Sequence, residues 1–373
     1  MTDLLGVGII GCGNISAAYL QLAPLFKGYE ILAVADINMD NAKARAEEFG
    51  VRAHTVVDLL ASDDIDLVIN LTIPAAHLEV SRSIIEAGKH VYSEKPFVLN
   101  LAEAQELGAL AKAKGVRVGS APDTFMGASH QLARKLVDDG SIGQVTSGTA
   151  IVMSHGMEHW HPNPDFFFKK GGGPILDLGP YYLCNLVQLL GPVAKVSSFV
   201  NSASATRTIS NGPRDGETVP VETPTTIHSL LSFESGAVIT LLASWDVWKN
   251  DHPIMELYGT EGTMTVPDPN FFGGDLLVSE RDGENTAISW DHPFGVPNFE
   301  DVHANYRGAG LADMCLSINE GRPHRCNDAF ATHVVEVMTA ILDAGENGEV
   351  MTMTTTCERP EVLGPTEAQA LMA

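Results

Sequence analysis

Leu4-Leu5-Gly6-Val7-Gly8-Ile9-Ile10-Gly11-Cys12-Gly13-Asn14-Ile15-Ser16 decides how the rest of the chain is read. An apolar run ends on a glycine turn, and Ile15, Ala18, Tyr19 and Leu22 then recur at the spacing of one buried helix face. The segment therefore reads as strand, tight turn, helix. A literal GxGxxG sits at Gly6, Gly8 and Gly11, but that register puts the turn inside the apolar strand. The register that works begins at Gly11: Gly11 allows the turn, Gly13 lets backbone approach a phosphate group, and Ser16 is small enough for helix and sheet to pack closely. The free N–H groups opening the helix, from Asn14 and Ile15 onward, then face an anion. The apolar start lacks a basic leading segment and runs straight into the turn, so it is a first strand rather than a signal peptide, and a cytoplasmic location is expected.

Outward from this unit, Ile31 to Ala35, Leu67 to Leu71, Val91 to Ser93 and Val116 to Gly119 are further apolar strands alternating with helical patterns, one of them carrying Val80, Ile84 and Ala87. That alternation predicts an α/β fold with a doubly wound parallel sheet over residues 1–122. Beyond it a helix near Gln131 to Val137 gives way to strands at Thr146 to Met153, Val196 to Asn201, Thr226 to Phe233, Val238 to Trp245 and Met255 to Tyr258. Residues 123–373 are thus expected to form an α+β domain on a large, mostly antiparallel open sheet. Glu234-Ser235-Gly236 is hairpin chemistry, and the polar stretch from Ser202 to Thr225 reads as an inserted loop or ribbon. Toward the end, Arg307-Gly308 precedes an apolar helix, and a second helix from Ala329 to Leu342 is expected to pack between the domains, with Arg307 within reach of a ligand.

Composition narrows the partners. A chain of 373 residues with 45% hydrophobic and 19% charged residues buries a sizeable core, and no stretch of eighteen apolar residues offers a membrane span. The net charge of −24 opposes attraction to nucleic acid or anionic lipid. Cys12, Cys184, Cys315, Cys326 and Cys357 are scattered and odd in number, as expected of reduced thiols, with Cys12 a small apolar filler.

Asp36 ends the second strand about twenty residues beyond Gly13, where an acidic residue meets an adenosine ribose. Its carboxylate can accept from both ribose hydroxyls and would repel a 2′-phosphate, which favours NAD over NADP. The C-terminal ends of parallel strands line the ligand crevice, so Thr72, Pro74, Glu94 and Lys95 are placed toward one bound molecule. A lysine there can stabilise negative charge on a substrate oxygen; the alternative is a plain ion pair with Glu94.

Three further motifs make the reading specific: Thr72-Ile73-Pro74-Ala75-Ala76-His77, Glu94-Lys95-Pro96, and Gly171-Gly172-Gly173 leading to Asp177 and Tyr181. In order and spacing they resemble the glucose-fructose oxidoreductase, inositol dehydrogenase and rhizopine-catabolism family over nearly the whole chain. The resemblance implies an NAD-dependent oxidoreductase acting on a sugar, polyol or sugar derivative. It adds His77 to the cofactor side and implies Lys95, Asp177 and Tyr181 as the catalytic set. The position four after Asp177 is commonly His in the family; Tyr here is similar to a variant found among glucose-fructose oxidoreductase-like and dihydrodiol dehydrogenase-like members. A phenol with an ordinary pKa near ~10 is a poor base, but a close ammonium favours the phenolate. Tyr181 is then expected to move the hydroxyl proton, with Lys95 and Asp177 orienting the substrate. Two rivals stay open: a hydrolase or lyase that uses tightly held NAD transiently, and a non-catalytic NAD-binding regulator.

Ser154-His155-Gly156-Met157-Glu158-His159-Trp160-His161 holds three imidazoles, but Gly156 and Pro162 argue against one regular helix and no HExxH order is present, so no metal is expected. His159 and Trp160 are expected to touch the substrate, Trp160 by stacking on a sugar face. Phe166 to Phe168 are expected in the core or a subunit contact, and Tyr182 in packing. An antiparallel sheet with one open face predicts a homodimer or homotetramer.

Overall fold

The structure, a computed structural model, describes residues 4–300 and 302–373. Six strands, β1 (Leu5–Ile10), β2 (Tyr29–Ala35), β3 (Arg52–His54), β4 (Leu67–Asn70), β5 (His90–Ser93) and β6 (Val118–Ser120), form a parallel sheet in the order β3-β2-β1-β4-β5-β6. Strand order reverses between β1 and β4, so their C-terminal ends open a crevice where crossover helices leave in opposite directions. Helices on both faces force the strands to be apolar throughout: Val7, Ile9, Val34, Val68 and Ile69 have no exposed surface. Each such side chain contributes about 1.5–3 kcal/mol by leaving water.

The early glycines have a different duty from the turn. A Cβ on Gly6 would stand 1.8 Å from the Asp64 carbonyl oxygen, so Gly6 is a close-packing position inside the strand. Gly11 is the turn residue, at φ +105° with a notional Cβ 2.6 Å from the Leu71 carbonyl. Helices in this half stop where the sequence changes chemistry: Asn38 and Asn100 accept N–H groups at two helix starts, and Gly50 and Gly115 end the same helices in the left-handed region.

The second sheet has nine strands. In chain order they are β7 (Val145–Met153), β8 (Val193–Asn201), then β9 (Thr206–Thr208) and β10 (Thr218–Pro220) as a separate ribbon, β11 (Thr226–Phe233), β12 (Val238–Ser244), β13 (Met255–Gly259), β14 (Gly262–Val266), β15 (Leu276–Glu280), β16 (Thr286–Ile288) and β17 (Met351–Thr352). Their order is β16-β15-β14-β13-β7-β12-β11-β8-β17. All neighbours are antiparallel except β7 and β12, whose parallel pairing is possible because a long excursion of helix and ribbon separates them. The β11–β12 hairpin turns through Glu234-Ser235-Gly236, where the Gly236 N–H donates to Phe233 O at 3.0 Å. The polar insertion is the β9–β10 ribbon.

Along β11, Ile227, Ser229, Leu231 and Phe233 point inward, while His228 and Leu230 face solvent. The helix Asp328–Asn347 covers the inner face against β8 and also packs on β6 and the helix Leu101–Lys114, joining the two sheets. Among the described residues no helix is long and apolar enough to cross a membrane.

Candidate active site

On the nucleotide side, the Gly11 N–H donates to Ala35 O at 2.8 Å, which folds the turn back on β2. Nothing lies within 4 Å of a Cβ built on Gly13, so open space begins directly above the turn. The helix Asn14–Leu22 starts there with no side-chain cap and no acidic residue in its first turn; the Ser16 N–H donates to Gly13 O at 3.2 Å, and the N–H groups of Asn14 and Ile15 ahead of it have no side-chain cap. Asn14 is exposed beside this space and Ile15 is half-buried. The buried Ser16 hydroxyl donates to Gly13 O at 2.6 Å. Asp36 ties the turn to the end of β2: its carboxylate accepts the Cys12 and Asn38 N–H groups, each at 2.8 Å. Space, an uncapped helix start and a carboxylate at the neighbouring strand end together fit a dinucleotide. Sequence reading missed Arg45, whose guanidinium reaches Gly13 O at 3.3 Å from the middle of the helix Met39–Phe49. Cys12 is buried, as a filler should be.

Beyond β4, Thr72 donates through its N–H and its hydroxyl to Asn70 Oδ1 at 3.2 and 2.7 Å. His77 is buried, with Nδ1 2.7 Å from Pro96 O and Nε2 3.0 Å from Thr72 O. Burial holds its pKa below the ordinary histidine value although both carbonyls favour the charged ring. A neutral ring can donate to only one of them. His77 thus clamps the loops after β4 and β5 together rather than pointing into the crevice. Those loops border a cavity of about 500 Å³ lined by Ile73, Pro74, Lys95, Phe166, Phe167 and Asp177, among others.

At the end of β5, Lys95 Nζ donates to both Asp177 O and Asp177 Oδ1 at 2.7 Å, and lies 5.2 Å from the centre of the Tyr181 ring. Asp177 closes the short helical turn Pro174–Asp177, and Tyr181 lies in the first turn of the helix Gly179–Leu190, where Pro180 is tolerated. Residues 82 positions apart or more in sequence therefore converge. Glu94 is not the ion-pair partner of Lys95. Its carboxylate accepts from the Tyr19 hydroxyl at 3.0 Å, from Arg307 at 2.9 Å and from the Lys95 N–H at 2.9 Å.

Charges in this network hold one another in place. Burial pushes the Glu94 carboxyl up, but the Arg307 and Lys95 cations outweigh it, and its pKa falls below the usual glutamate value. Burial pulls Lys95 down, but Asp177, Tyr181 and Glu94 outweigh it, and its pKa rises above that of an ordinary lysine. Lys95 is thus a fixed cation and hydrogen-bond donor at neutral pH, not a base. Arg307 is held in place by Asp123, whose carboxylate accepts the Gly308 and Gly310 N–H groups at 2.9 and 3.0 Å. The buried Asp123 had no signal in the sequence beyond its place just after the sixth strand.

Two expectations about the mouth change. Phe168 is in the core beside Trp245, but Phe166 and Phe167 line the cavity, because the loop turns at Lys169 and exposes their side of the short helix Asp165–Phe168. His159 does not line the Lys95 cavity; it borders a second cleft with Ser154, His155, Glu158, Thr208, Ser210 and Trp248. Trp160 borders neither and is exposed, its ring edge-on to His161. Tyr182 packs as expected, buried with its hydroxyl 3.5 Å from Asp268. Among the described residues no three His, Cys, Asp or Glu side chains are grouped to hold a metal ion.

Comparison with known proteins bears on this geometry. Residues 5–121 match the model of the oxidoreductase family with an NAD-binding Rossmann fold, and residues 130–265 match the GFO/IDH/MocA C-terminal domain. The chain is 25% identical over 326 residues to levoglucosan dehydrogenase of Pseudarthrobacter phenanthrenivorans, covering 78% of this chain and 82% of that one. It is also 25% identical over 368 residues to D-apiose dehydrogenase of Paraburkholderia graminis, covering 95% and 91%. A solved levoglucosan dehydrogenase, in complex with NADH and levoglucosan, superimposes with a TM-score of 0.81 at 20% identity over 95% of this chain and all of that one, a likeness of fold.

Proposed function

The chain belongs to the GFO/IDH/MocA family of NAD-binding oxidoreductases, and from that premise we propose that it transfers a hydride between NAD and a secondary alcohol of a sugar, polyol or sugar derivative. One observation carries this: Lys95, from the end of a parallel strand, meets Asp177 and lies over the Tyr181 ring beside the crevice that fits a dinucleotide. In this reading residues up to 122 supply the cofactor side, with Gly11, Gly13, Asn14, Ile15, Asp36, Thr72, Pro74 and Glu94 around it and His77 behind it. Residues from 123 onward supply the substrate side.

The nicotinamide supplies the hydride acceptor when bound. The protein's own residues manage the proton and the charge. Lys95 spends two of its three N–H donors on Asp177, which leaves one for the substrate oxygen. The cation stabilises negative charge developing there, and Tyr181 takes the hydroxyl proton. Arg307, paired with Glu94, adds a second fixed cation behind the first.

The test is absorbance at the NADH band across inositols, aldoses, anhydrosugars and glycosides. At least one is expected to be oxidised with NAD, and Tyr181→Phe is expected to slow that turnover by about 10²–10⁴-fold. Wild-type rates in Tyr181→Phe would remove the acid/base role. The same reading has the open face of the second sheet, with Phe199, Leu230 and Val238 exposed, covered by further copies of the chain. Light scattering is expected to give a dimer or tetramer mass, and a charge at Leu230 to lower it.

A further inference from the structure

One buried carboxylate joins segments that lie 75 and 213 residues away from it in the chain. The two oxygens of Glu94 have different partners. Oε2 accepts the N–H of Lys95 at 2.9 Å, and Oε1 accepts from the Tyr19 hydroxyl at 3.0 Å and from Arg307 at 2.9 Å. The first bond closes a ring between a side chain and the backbone one residue on, so the direction in which the Lys95 side chain leaves β5 depends on where the Glu94 carboxylate stands. At its far end the same lysine donates to Asp177 O and Asp177 Oδ1, both at 2.7 Å. Lys95 is held at its root by Glu94 and at its tip by Asp177.

The two groups on Oε1 are not equivalent. Arg307 is a long, jointed side chain that brings charge: burial pushes the Glu94 carboxyl up, and the Arg307 guanidinium does most to bring it down. Tyr19 brings no charge. Its rigid ring is 1% exposed, in the middle of the helix Asn14–Leu22. Burial, and then the Glu94 carboxylate, push its pKa well above the ordinary tyrosine value, so the phenol keeps its proton and stays a donor. Arg307 thus governs the charge of Glu94, whereas a stiff side chain on a packed helix is suited to govern its place. The helix matters as much as the hydroxyl. Its first turn borders the open space above Gly13, and Tyr19 stands about 7.5 Å further along its axis. Lys95 is thereby tied to the same rigid element that takes the phosphate end of a dinucleotide.

We propose that Tyr19 is a positioning residue: through Glu94 it fixes the direction of Lys95 relative to the helix that opens the nucleotide site. This rests on the reading of Lys95 as the group that meets the substrate oxygen. The span from the phosphates of a dinucleotide to its reactive ring is set by the dinucleotide, so a lysine that acts beside that ring needs a fixed place relative to the helix that takes the phosphates. A misplacement of about 1 Å is enough to cost a large share of the rate. The sequence around Tyr19 carries no sign of this role, because among Ile15, Ala18, Tyr19 and Leu22 it is one more residue of a buried helix face.

The experiment compares the full wild-type chain with Tyr19→Phe, which keeps the ring and its packing and removes only the hydroxyl. At saturating NAD and alcohol, kcat is expected to fall about tenfold, with KM for NAD unchanged because the helix start is intact. A double-mutant cycle separates positioning from a merely structural loss. Glu94→Gln, which keeps the side-chain shape, is expected to lower kcat at least as far, and Tyr19→Phe added to it is expected to cost nothing more. A second readout needs no turnover. The Lys95 amine is labelled with trinitrobenzenesulfonate and followed by peptide mass spectrometry; in Tyr19→Phe its rate is expected to rise about threefold to tenfold, while that of the exposed Lys112 stays the same. Equal kcat in wild type and Tyr19→Phe, full multiplication of the two single effects in the double variant, or a Lys95 labelling rate that does not change overturns the proposal. Should Glu94→Gln not fold, kcat and labelling of Tyr19→Phe decide by themselves. If wild type oxidises no alcohol of the panel, the function proposed above fails, and the labelling alone decides the positioning of Lys95: a faster rate supports it and an equal rate refutes it.

Discussion

Around Lys95 the charges are matched: Lys95 with Asp177, and Glu94 with Arg307, Tyr19 and the Lys95 N–H. Around Glu158 the matching is incomplete, with Glu158 Oε2, Arg207 Nε, Ser154 Oγ and His155 Nδ1 left over. The difference is informative about what each cleft does. A saturated network fixes protonation states and geometry before anything binds, which suits a group that must stabilise charge during a reaction. Unpaired buried atoms fix nothing by themselves; each is a cost until water or another group meets it.

Breaking the first cleft should therefore change rate as well as stability. The largest effect is expected from Lys95→Met, which removes the fixed cation: kcat/KM for the best alcohol should fall about 10²–10³-fold, measured by NADH formation. A variant within a factor of three of wild type would place the charge stabilisation elsewhere.

Next in size is Arg307→Met. It strands the Glu94 carboxylate in a buried site, and breaking such a pair costs about 3 kcal/mol, read as a drop in the urea midpoint. The pH sign follows from Glu94. Its folded pKa is depressed, so its contribution is present above the ordinary value of 4.5 and is lost as pH falls through the lower folded value. With Arg307 gone, the opposing effect of burial gains weight, and the acid-unfolding midpoint should move to higher pH.

A smaller effect is expected at Asp36, which lies between the two kinds of site: each carboxylate oxygen holds one backbone N–H and keeps further acceptor capacity. Asp36→Ala should reduce the preference for NAD over NADP about tenfold, by losing acceptors for the ribose and repulsion of a 2′-phosphate. It should also cost about 1 kcal/mol of stability through the two lost N–H bonds. A preference that does not move would detach Asp36 from the ribose and leave it only as the tie between the turn and β2.

Much of the nucleotide side was legible because its information is local. Gly11, Gly13 and Ser16 fall within one strand-turn-helix unit, and burial on both faces makes every strand of a parallel sheet apolar, so periodicity alone placed them. The register of that glycine pattern was legible too, since Gly6 and Gly8 lie within an apolar run; their close packing, Gly6 against Asp64, gives the tertiary reason. His77 was legible as a motif member but not as a buried clamp between two loops. Arg45 and Asp123 gave no periodic signal, because their roles depend on neighbours from other elements.

The loop from Ser154 to Phe168 divided most sharply. Its composition pointed to ligand contact, but composition carries no direction, and a one-residue change in how an irregular loop turns sends a ring to a different cleft. Hence Phe166 and Phe167 line the Lys95 cavity, while His159 borders another and Trp160 neither.

Local order, meaning the alternation of strands and helices, the glycine turn and the spacing of Asp177 and Tyr181, was determined by the sequence itself, because hydrophobic period and backbone sterics act over a few residues. Which charges pair, that Lys95 chooses Asp177 and leaves Glu94 to Arg307, was decided only when two sheets packed together. Ion pairs and orphaned atoms are properties of buried space, and buried space exists only once distant segments have excluded water from between them.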